Sequence, residues 1–174
     1  YRAGELHSLF SVSKSFTAAA IGFAEQEGLL RLEDFVTDYF PEYLPAQPCE
    51  NMRKLRIWHL LTLSAGFDAA PDDFKRKYPG AVVNDFPYSY ANFQFSDTVD
   101  WAKDFLRSYV AEEPGQRFLY SSACTYMLSA ILQKAAGQNL EEYLAPRLFA
   151  PLGFSRVSWQ KCSQGRNVGG WGMS

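Results

Sequence analysis

Ser11 and Lys14 form a Ser-x-x-Lys motif at the start of a helical pattern. Because residues three apart share one face of a helix, the lysine amine can approach the serine hydroxyl. A neutral amine in this position can take the hydroxyl proton, which makes the serine able to attack an amide or ester carbonyl. The N–H groups at the start of the helix can stabilise the negative charge that develops in such an attack. The spacing therefore predicts a nucleophile at Ser11 and its base at Lys14.

A second Ser-x-x-Lys motif, at residues 158–161, serves as an internal control. It follows the turn-forming residues 151–153 in a stretch that has no helical period, so Ser158 and Lys161 need not face one another. The motif alone is therefore not specific, and the helical context favours Ser11 over Ser158.

Tyr120 and Ser122 form the second candidate group, between the turn residues 114–115 and the start of another helix. A tyrosine near a lysine can relay a proton, and a serine two residues later can donate a hydrogen bond to the substrate or to the lysine. Tyr90 and Asn92 have the same spacing but lie in an irregular segment. Spacing does not choose between the two groups, and context favours Tyr120.

Other interpretations of these residues are structural. A serine before a helix is often only an N-cap, and a tyrosine in a chain with 16% aromatic residues is commonly part of the core. His7 and His59 are more typical of structural positions. A Ser-His-Asp triad is disfavoured, because the sequence has no Gly-x-Ser-x-Gly nucleophile elbow and His59 lies in an apolar helical turn.

Four periodic segments would position the candidate residues. Gly28 and Gly137 stand where left-handed residues end the first and third helices, and Asn139 with Glu142 forms a capping box at the fourth. The predicted helices are residues 11–27, 96–113, 122–136 and 139–148. Short helical turns are predicted at residues 34–40 and 57–61, a long loop at 68–95, and one extended segment at 156–160.

Composition bounds the class of protein. The 174 residues, 47% of them hydrophobic, are enough for one domain that buries roughly 70% of the surface of its unfolded chain. The net charge is −2, and the charged residues are scattered along the chain without forming a basic face, so a nucleic-acid partner is not expected. The longest apolar run, residues 16–24, is too short to span a membrane.

The three cysteines lack the close pairing of zinc sites, so no metal is expected. Their odd number fits a reducing compartment slightly better, although one disulfide could still form. No targeting signal is visible, but the chain starts at Tyr1, and an export signal could have been removed before it. The cellular compartment stays open.

Five segments along the chain form an ordered set of motifs. They are Phe-Ser-Val-Ser-Lys-Ser-Phe-Thr at 10–17, Leu-Leu-Thr-Leu-Ser-Ala-Gly at 60–66, Pro-Gly-Gln-Arg-Phe-Leu-Tyr-Ser-Ser at 114–122, Pro-Leu-Gly-Phe at 151–154 and Gly-Gly-Trp-Gly-Met-Ser at 169–174. In this order they resemble successive signatures of the class C β-lactamase-like serine hydrolases. This group includes class C β-lactamases, D-alanyl-D-alanine carboxypeptidases, esterases and 6-aminohexanoate-oligomer hydrolases.

The resemblance implies that Ser11 is acylated, that Lys14 is its base, and that Tyr120 accepts and then returns a proton. The backbone N–H of Ser11 would supply half of the oxyanion hole. It also implies a small amide or ester substrate and no metal or other cofactor. The alternatives are a D,D-peptidase or β-lactamase acting on cell-wall peptides or β-lactams, and a non-catalytic relative that keeps the fold as a binding module.

Two departures from the family pattern bear on this expectation. Lactamases usually carry Asn where this chain has Ser122, and the Tyr-x-Ser form is more similar to 6-aminohexanoate-oligomer hydrolases and some esterases. The sequence also has no Lys-x-Gly or His-x-Gly, the form of the family's third motif.

The resemblance further implies a mainly α chain. It would comprise the helical region and edges of the α/β region of the β-lactamase/transpeptidase-like fold. Residues 1–174 are therefore expected to be a partial domain that lacks the later sheet strands. Poor activity of the isolated chain and self-association through exposed apolar surface are expected to follow.

Overall fold

The computed structural model describes residues 5–67 and 100–174, and this part of the chain is mainly helical. Its α-helices are α1 (Ser13–Gln26), α2 (Glu50–Lys54), α3 (Ile57–Leu61), α4 (Trp101–Arg107), α5 (Ser122–Ala136) and α6 (Leu140–Leu144). Short 3-10 turns lie at Phe10–Val12, Val36–Tyr39 and Pro41–Tyr43, and a π turn at Ala145–Phe149 continues α6. The prediction of a mainly α chain is confirmed for this part.

Helix α1 confirms the first predicted helix except in its first turn, which is a 3-10 turn at Phe10–Val12. The Ser13 hydroxyl donates a hydrogen bond of 2.6 Å to the Phe10 carbonyl, three residues back. A serine hydroxyl that binds a nearby carbonyl competes with the regular helical pattern, and a tighter turn results. Ser11 therefore lies in this turn, ahead of the helix that carries Lys14.

Helix α5 has the predicted bounds and is the central helix of the described fold. It packs against α1, α3, α4 and α6, and every residue from 121 to 132 is buried. Gly137 ends it in a left-handed conformation with φ 69°. The capping box predicted for α6 also forms, because the Asn139 side chain accepts from the Glu142 backbone and the Glu142 side chain accepts from the Asn139 backbone.

Helix α4 is shorter than the sequence pattern suggests. The predicted start at Ser96 lies outside the described residues, and the described helix has Asp100 as its N-cap, whose side chain accepts from the Ala102 N–H at 3.0 Å. The helix ends at Arg107, so the predicted continuation to residue 113 is wrong. Ser108 takes an extended conformation, with ψ 151°, and terminates the helix.

The shorter elements match the sequence patterns in part. The turns predicted at 34–40 and 57–61 are present as Val36–Tyr39 and α3, whereas α2 and the turn at Pro41–Tyr43 were not predicted. The segment predicted as extended, residues 156–160, makes an isolated antiparallel bridge from Trp159 to Met173 rather than a strand, and a second bridge follows it from Lys161 to Asn167. The predicted loop at 68–95 lies outside the described residues.

Aromatic side chains fill the core between α4, α5 and the segment that follows α3. The rings of Trp101 and Tyr126 meet edge to face with centroids 5.0 Å apart, and those of Phe67 and Phe105 do so at 5.2 Å. Such ring pairs add to the stability of a core more than the burial of their apolar area alone would contribute. The three cysteines of the chain are free thiols.

Within residues 5–67 and 100–174, no helix is both long and apolar enough to cross a membrane. The same part of the chain holds no group of three or more His, Cys, Asp or Glu side chains arranged to bind a metal ion.

A segment that we call the glycine strap, residues 167–170, lies between α1 and α5. On the α5 side, the Ser129 hydroxyl donates to the Asn167 carbonyl at 2.6 Å. On the α1 side, the Thr17 hydroxyl donates to the Gly169 carbonyl at 2.7 Å. The strap therefore joins Thr17 of α1 to Ser129 of α5, two residues that are more than 100 positions apart in sequence.

We expect Gly169→Ala to lower the free energy of unfolding by about 2–5 kcal/mol, because it adds overpacking to left-handed backbone strain. Gly169 has φ 73°, and a Cβ atom there would lie 2.5 Å from the Thr125 carbonyl oxygen. Gly165→Ala is the matched control, because Gly165 has φ 74° but open space around its Cβ position. It should cost only the strain, about 1–2 kcal/mol. Urea denaturation of both variants measures the difference, and equal losses would contradict close packing of the strap.

Candidate active site

Ser11 lies in the 3-10 turn that precedes α1 and is partly exposed. The preceding residue, Phe10, has φ 45°, a left-handed conformation that is uncommon for a residue with a side chain. The turn is held by the Ser13 bond to the Phe10 carbonyl and by a bond of 2.9 Å from the Leu9 N–H to the Met173 carbonyl. These contacts present the Ser11 hydroxyl at the start of the helix.

Lys14 Nζ lies at the centre of the site and makes three hydrogen bonds. Its acceptors are Ser11 Oγ at 3.3 Å, Ser122 Oγ at 3.0 Å and the Gly170 carbonyl at 2.7 Å. The first comes from the 3-10 turn before α1, the second from the start of α5 and the third from the glycine strap. The lysine is thus held by three separate parts of the chain.

Tyr120 completes the group around Ser11. Its hydroxyl donates to Ser11 Oγ at 2.7 Å, and Lys14 Nζ lies 4.8 Å from the centroid of its ring. The segment that carries Tyr120 is anchored to the end of α3: the Leu119 N–H donates to the Leu63 carbonyl, and the Gly115 N–H donates to the Ser64 carbonyl, both at 2.8 Å. The conformation after α3 therefore sets the approach of Tyr120 to Ser11.

The surroundings of Tyr120 lower its pKa. Burial would by itself raise the pKa, but hydrogen bonds to Lys14 and Ser11, together with the positive charge of Lys14, shift it below the ordinary value for a tyrosine. The phenolate is therefore easier to form here than in water. A tyrosine tuned in this direction is better suited to accept a proton near neutral pH.

Ser122 is the first residue of α5 and is buried, with a relative exposure of 7%. Its hydroxyl accepts a hydrogen bond from Lys14 at 3.0 Å. The sequence predicted that Ser122 contacts either the substrate or the lysine, and the structure contains the contact with the lysine. Substrate binding by Ser122 stays a prediction.

Ser158 lies apart from this group, in the bridge region. Its N–H and carbonyl pair with the carbonyl and N–H of Ser174, both at 2.9 Å. Side chains three apart in an extended segment point to opposite faces, so the geometry that makes Ser-x-x-Lys useful on a helix is lost at Ser158 and Lys161. The rival tyrosine, Tyr90, lies outside the described residues.

His59 is buried in α3. Its Nδ1 accepts a hydrogen bond of 2.9 Å from the Arg56 backbone N–H and so helps to cap the helix. Burial, reinforced by the charge of Arg56, lowers the pKa of His59 and favours the neutral ring that this bond requires. The position is that of a structural histidine.

Two contributors to the site were not assigned from the sequence: the Gly170 carbonyl and Thr17. A backbone acceptor leaves no signal in side-chain spacing. Thr17 did leave a signal, since it lies three residues after Lys14 and shares its helix face. Ser11, in the turn before α1, is thus followed at helical spacing by Lys14 and Thr17, which both bind the strap.

Comparison with known proteins assigns the chain to a family. The sequence profile of the Beta-lactamase family matches residues 1–173. The chain belongs to this family. An Escherichia coli K12 protein described as a D-alanyl-D-alanine carboxypeptidase is 28% identical over 165 residues, which cover 93% of this chain and 36% of that protein. A β-lactamase from Escherichia coli K12 is 30% identical over 151 residues, which cover 84% of this chain and 33% of that enzyme.

Among solved structures, a Bacillus anthracis protein described as a 6-aminohexanoate-dimer hydrolase superposes with a TM-score of 0.74 at 19% identity. The match covers 99% of this chain and 45% of that structure. The fold is therefore that of the Beta-lactamase family, and this chain forms part of that fold. The chain spans about a third of the length of the two curated relatives named above. The resemblance found in the sequence is confirmed at the level of the family, whose named members are hydrolases of the serine β-lactamase type.

Proposed function

We propose that this Beta-lactamase family chain carries the nucleophile of a serine hydrolase that cleaves an amide or ester bond of a small substrate. The observation that supports the proposal is the position of Ser11 Oγ, which lies 2.7 Å from the Tyr120 hydroxyl and 3.3 Å from Lys14 Nζ. The distance to Tyr120 is within the reach required for proton transfer during nucleophilic attack, and the distance to Lys14 is slightly longer, as is common before a substrate binds. A serine with two such neighbours can lose its proton as it attacks.

In the first half of the proposed reaction, Ser11 Oγ forms a bond to the substrate carbonyl carbon while its proton moves to Tyr120 or Lys14. The carbonyl electrons move onto oxygen, where the Ser11 backbone N–H would provide one oxyanion contact. The tetrahedral intermediate then collapses, the bond to the amine or alcohol breaks, and the leaving group takes the proton from the same pair. An acyl-enzyme on Ser11 remains.

In the second half, water attacks the acyl-enzyme and gives its proton to the Tyr120–Lys14 pair. Collapse of this intermediate returns the proton to Ser11 Oγ and releases the acid. The positive charge of Lys14 and the lowered pKa of Tyr120 suit the tyrosine to accept and then return this proton. The reaction uses no redox step and no cofactor.

A second candidate is a D,D-peptidase or β-lactamase, favoured by the carboxypeptidase and β-lactamase descriptions of the relatives. Ser122, in the place of the usual Asn, favours the ester or amide hydrolase instead. A fluorescent penicillin distinguishes the two candidates. Rapid turnover of the penicillin would favour the lactamase, a long-lived adduct on Ser11 would favour the peptidase, and absence of reaction would favour the small amide or ester.

We also propose that residues 1–174 are a partial domain whose isolated form is a poor catalyst. One oxyanion donor is assigned in the described residues, and loss of one such donor typically lowers turnover by about 100- to 1000-fold. Phe10 and Val12 are 67% and 57% exposed beside Ser11, an apolar surface that favours self-association of an isolated chain.

The full-length gene product should hydrolyse p-nitrophenyl acetate through Ser11, and the 174-residue chain should do so about 100-fold or more slowly for want of an oxyanion donor. Both are assayed at matched concentration, with oligomeric state checked by light scattering. Comparable turnover by a monomeric 174-residue chain would contradict the partial-domain proposal. No turnover by the full-length product with this ester or an amide panel would contradict the proposed function.

A further inference from the structure

Thr17 is a fully buried residue of α1 whose hydroxyl forms its shorter hydrogen bond with the glycine strap and not with its own helix. A threonine inside a helix commonly bonds the carbonyl four residues back. Here the Thr17 hydroxyl lies 3.4 Å from that carbonyl, of Ser13, but 2.7 Å from the carbonyl of Gly169 in the strap. The shorter bond holds the strap against α1, one residue before the carbonyl that binds Lys14.

The Gly170 carbonyl restricts how Lys14 can work. Lys14 Nζ has acceptors in Ser11, Ser122 and Gly170 at 2.7 to 3.3 Å, and the Tyr120 hydroxyl is a further hydrogen-bond partner. A carbonyl can only accept, so the Gly170 carbonyl takes one N–H of Lys14. The hydroxyls of Ser11 and Ser122 can donate as well as accept. The Gly170 contact is also the shortest of the three at 2.7 Å, so the position of the strap determines where Lys14 Nζ lies beside Ser11.

The opposite side of the strap is packed closely against α5. A Cβ atom on Gly170 would lie 2.8 Å from Thr125 Oγ1 and 3.1 Å from Ser122 Cβ. The strap can therefore approach α5 only because it carries no side chain at this position. Contact with α5 therefore limits the position of the strap on one side, and the hydrogen bond from Thr17 holds the strap to α1 on the other side.

We propose that Thr17 is a positioning residue for Lys14, acting through the carbonyls of Gly169 and Gly170. The inference rests on the proposed function, in which Lys14 takes part in proton transfer at Ser11. Without the Thr17 hydroxyl, the Gly169 carbonyl loses its donor on α1 and the Gly170 carbonyl is no longer held at 2.7 Å from Lys14 Nζ. Lys14 Nζ then loses the contact that fixes its position beside Ser11.

The test compares Thr17→Val with Thr17→Ser in the full-length gene product on p-nitrophenyl acetate. Valine matches the shape of threonine but has no hydroxyl, whereas serine retains the hydroxyl. Thr17→Val should lower kcat by about 10- to 100-fold with little change in KM, because small misplacements of a reacting group cost this much. Thr17→Ser should restore most of the rate. Thr37→Val, at a buried threonine of the Val36–Tyr39 turn, is the matched control and should stay within about twofold, as expected away from reacting groups.

A second measurement follows Lys14 without relying on turnover. Competitive acetylation with acetic anhydride, read by mass spectrometry, should label Lys14 severalfold faster in Thr17→Val than in the wild type. Lys134, an exposed lysine of α5, is the internal reference. If the wild type had no hydrolase activity, the proposed function would fail, and the acetylation ratio would still decide the role of Thr17.

Three outcomes would overturn the inference. The first is an unchanged kcat together with unchanged Lys14 acetylation in Thr17→Val. The second is a failure of Thr17→Ser to restore the rate. The third is an equal loss of kcat in Thr17→Val and Thr37→Val that parallels the drop in their melting temperatures. The last result would mean that the hydroxyl contributes only to stability.

Discussion

Ser11→Ala should abolish labelling of the full-length gene product by a fluorophosphonate, whereas Ser158→Ala should leave labelling unchanged. Both serines belong to a Ser-x-x-Lys motif, but only Ser11 has the lysine and a tyrosine hydroxyl within 3.3 Å of its Oγ atom. Ser158 lies next to the Trp159–Met173 bridge and is hydrogen-bonded through its backbone to Ser174, and in such an extended segment a lysine three residues on points to the other face. Gel fluorescence measures the labelling, and mass spectrometry of the labelled peptide locates the adduct.

The position of the adduct identifies the nucleophile without requiring a known substrate. An adduct on Ser158, or full labelling of Ser11→Ala, would show that the nucleophile has been misassigned. Melting temperatures of both variants serve as the control, because removal of one serine hydroxyl from a partly exposed turn should leave the fold intact. Loss of labelling with an unchanged melting temperature is the expected result for Ser11→Ala.

Tyr120→Phe should lower the rate of ester hydrolysis by about 100-fold or more, because it removes a proton-transfer group and leaves the ring in place. The Tyr120 ring is 44% exposed, so the substitution should change stability little. Tyr90→Phe is the matched control and should cost much less. Equal losses in the two variants, or a larger loss from Tyr90→Phe, would contradict the choice of Tyr120.

The pH profile tests the same assignment. The pKa of Tyr120 is lowered, so the phenolate becomes populated as the pH rises through a value below that of an ordinary tyrosine. Activity that depends on the phenolate should rise over this interval in the wild type. The rise should be absent in Tyr120→Phe, measured as kcat/KM against pH, and an unchanged profile would mean that the tyrosine does not transfer the proton.

The sequence by itself determined the features that depend on neighbouring residues. Helix α5, with its stop at Gly137, and the capping box of α6 follow from local periodicity and local hydrogen bonding, so they could be predicted within a single segment. The spacing of Ser11 and Lys14 likewise limits their separation on any helix. The ends of α4 could not be predicted in this way, because an apolar stripe indicates burial and does not show where the backbone leaves the helix.

Only the tertiary structure decided which distant groups reach the nucleophile. Tyr120 lies 109 positions from Ser11, and the Gly170 carbonyl lies 156 positions from Lys14, yet both are within hydrogen-bond distance. Such contacts depend on how helices and connecting segments pack, and packing is not encoded in any short spacing. The contact of Tyr120 depends on the anchoring of its segment beside α3, and that of Gly170 on the close packing of side-chain-free backbone against α5. The reactive motif is thus a local property of the sequence, whereas the setting that would make it reactive arises from tertiary packing.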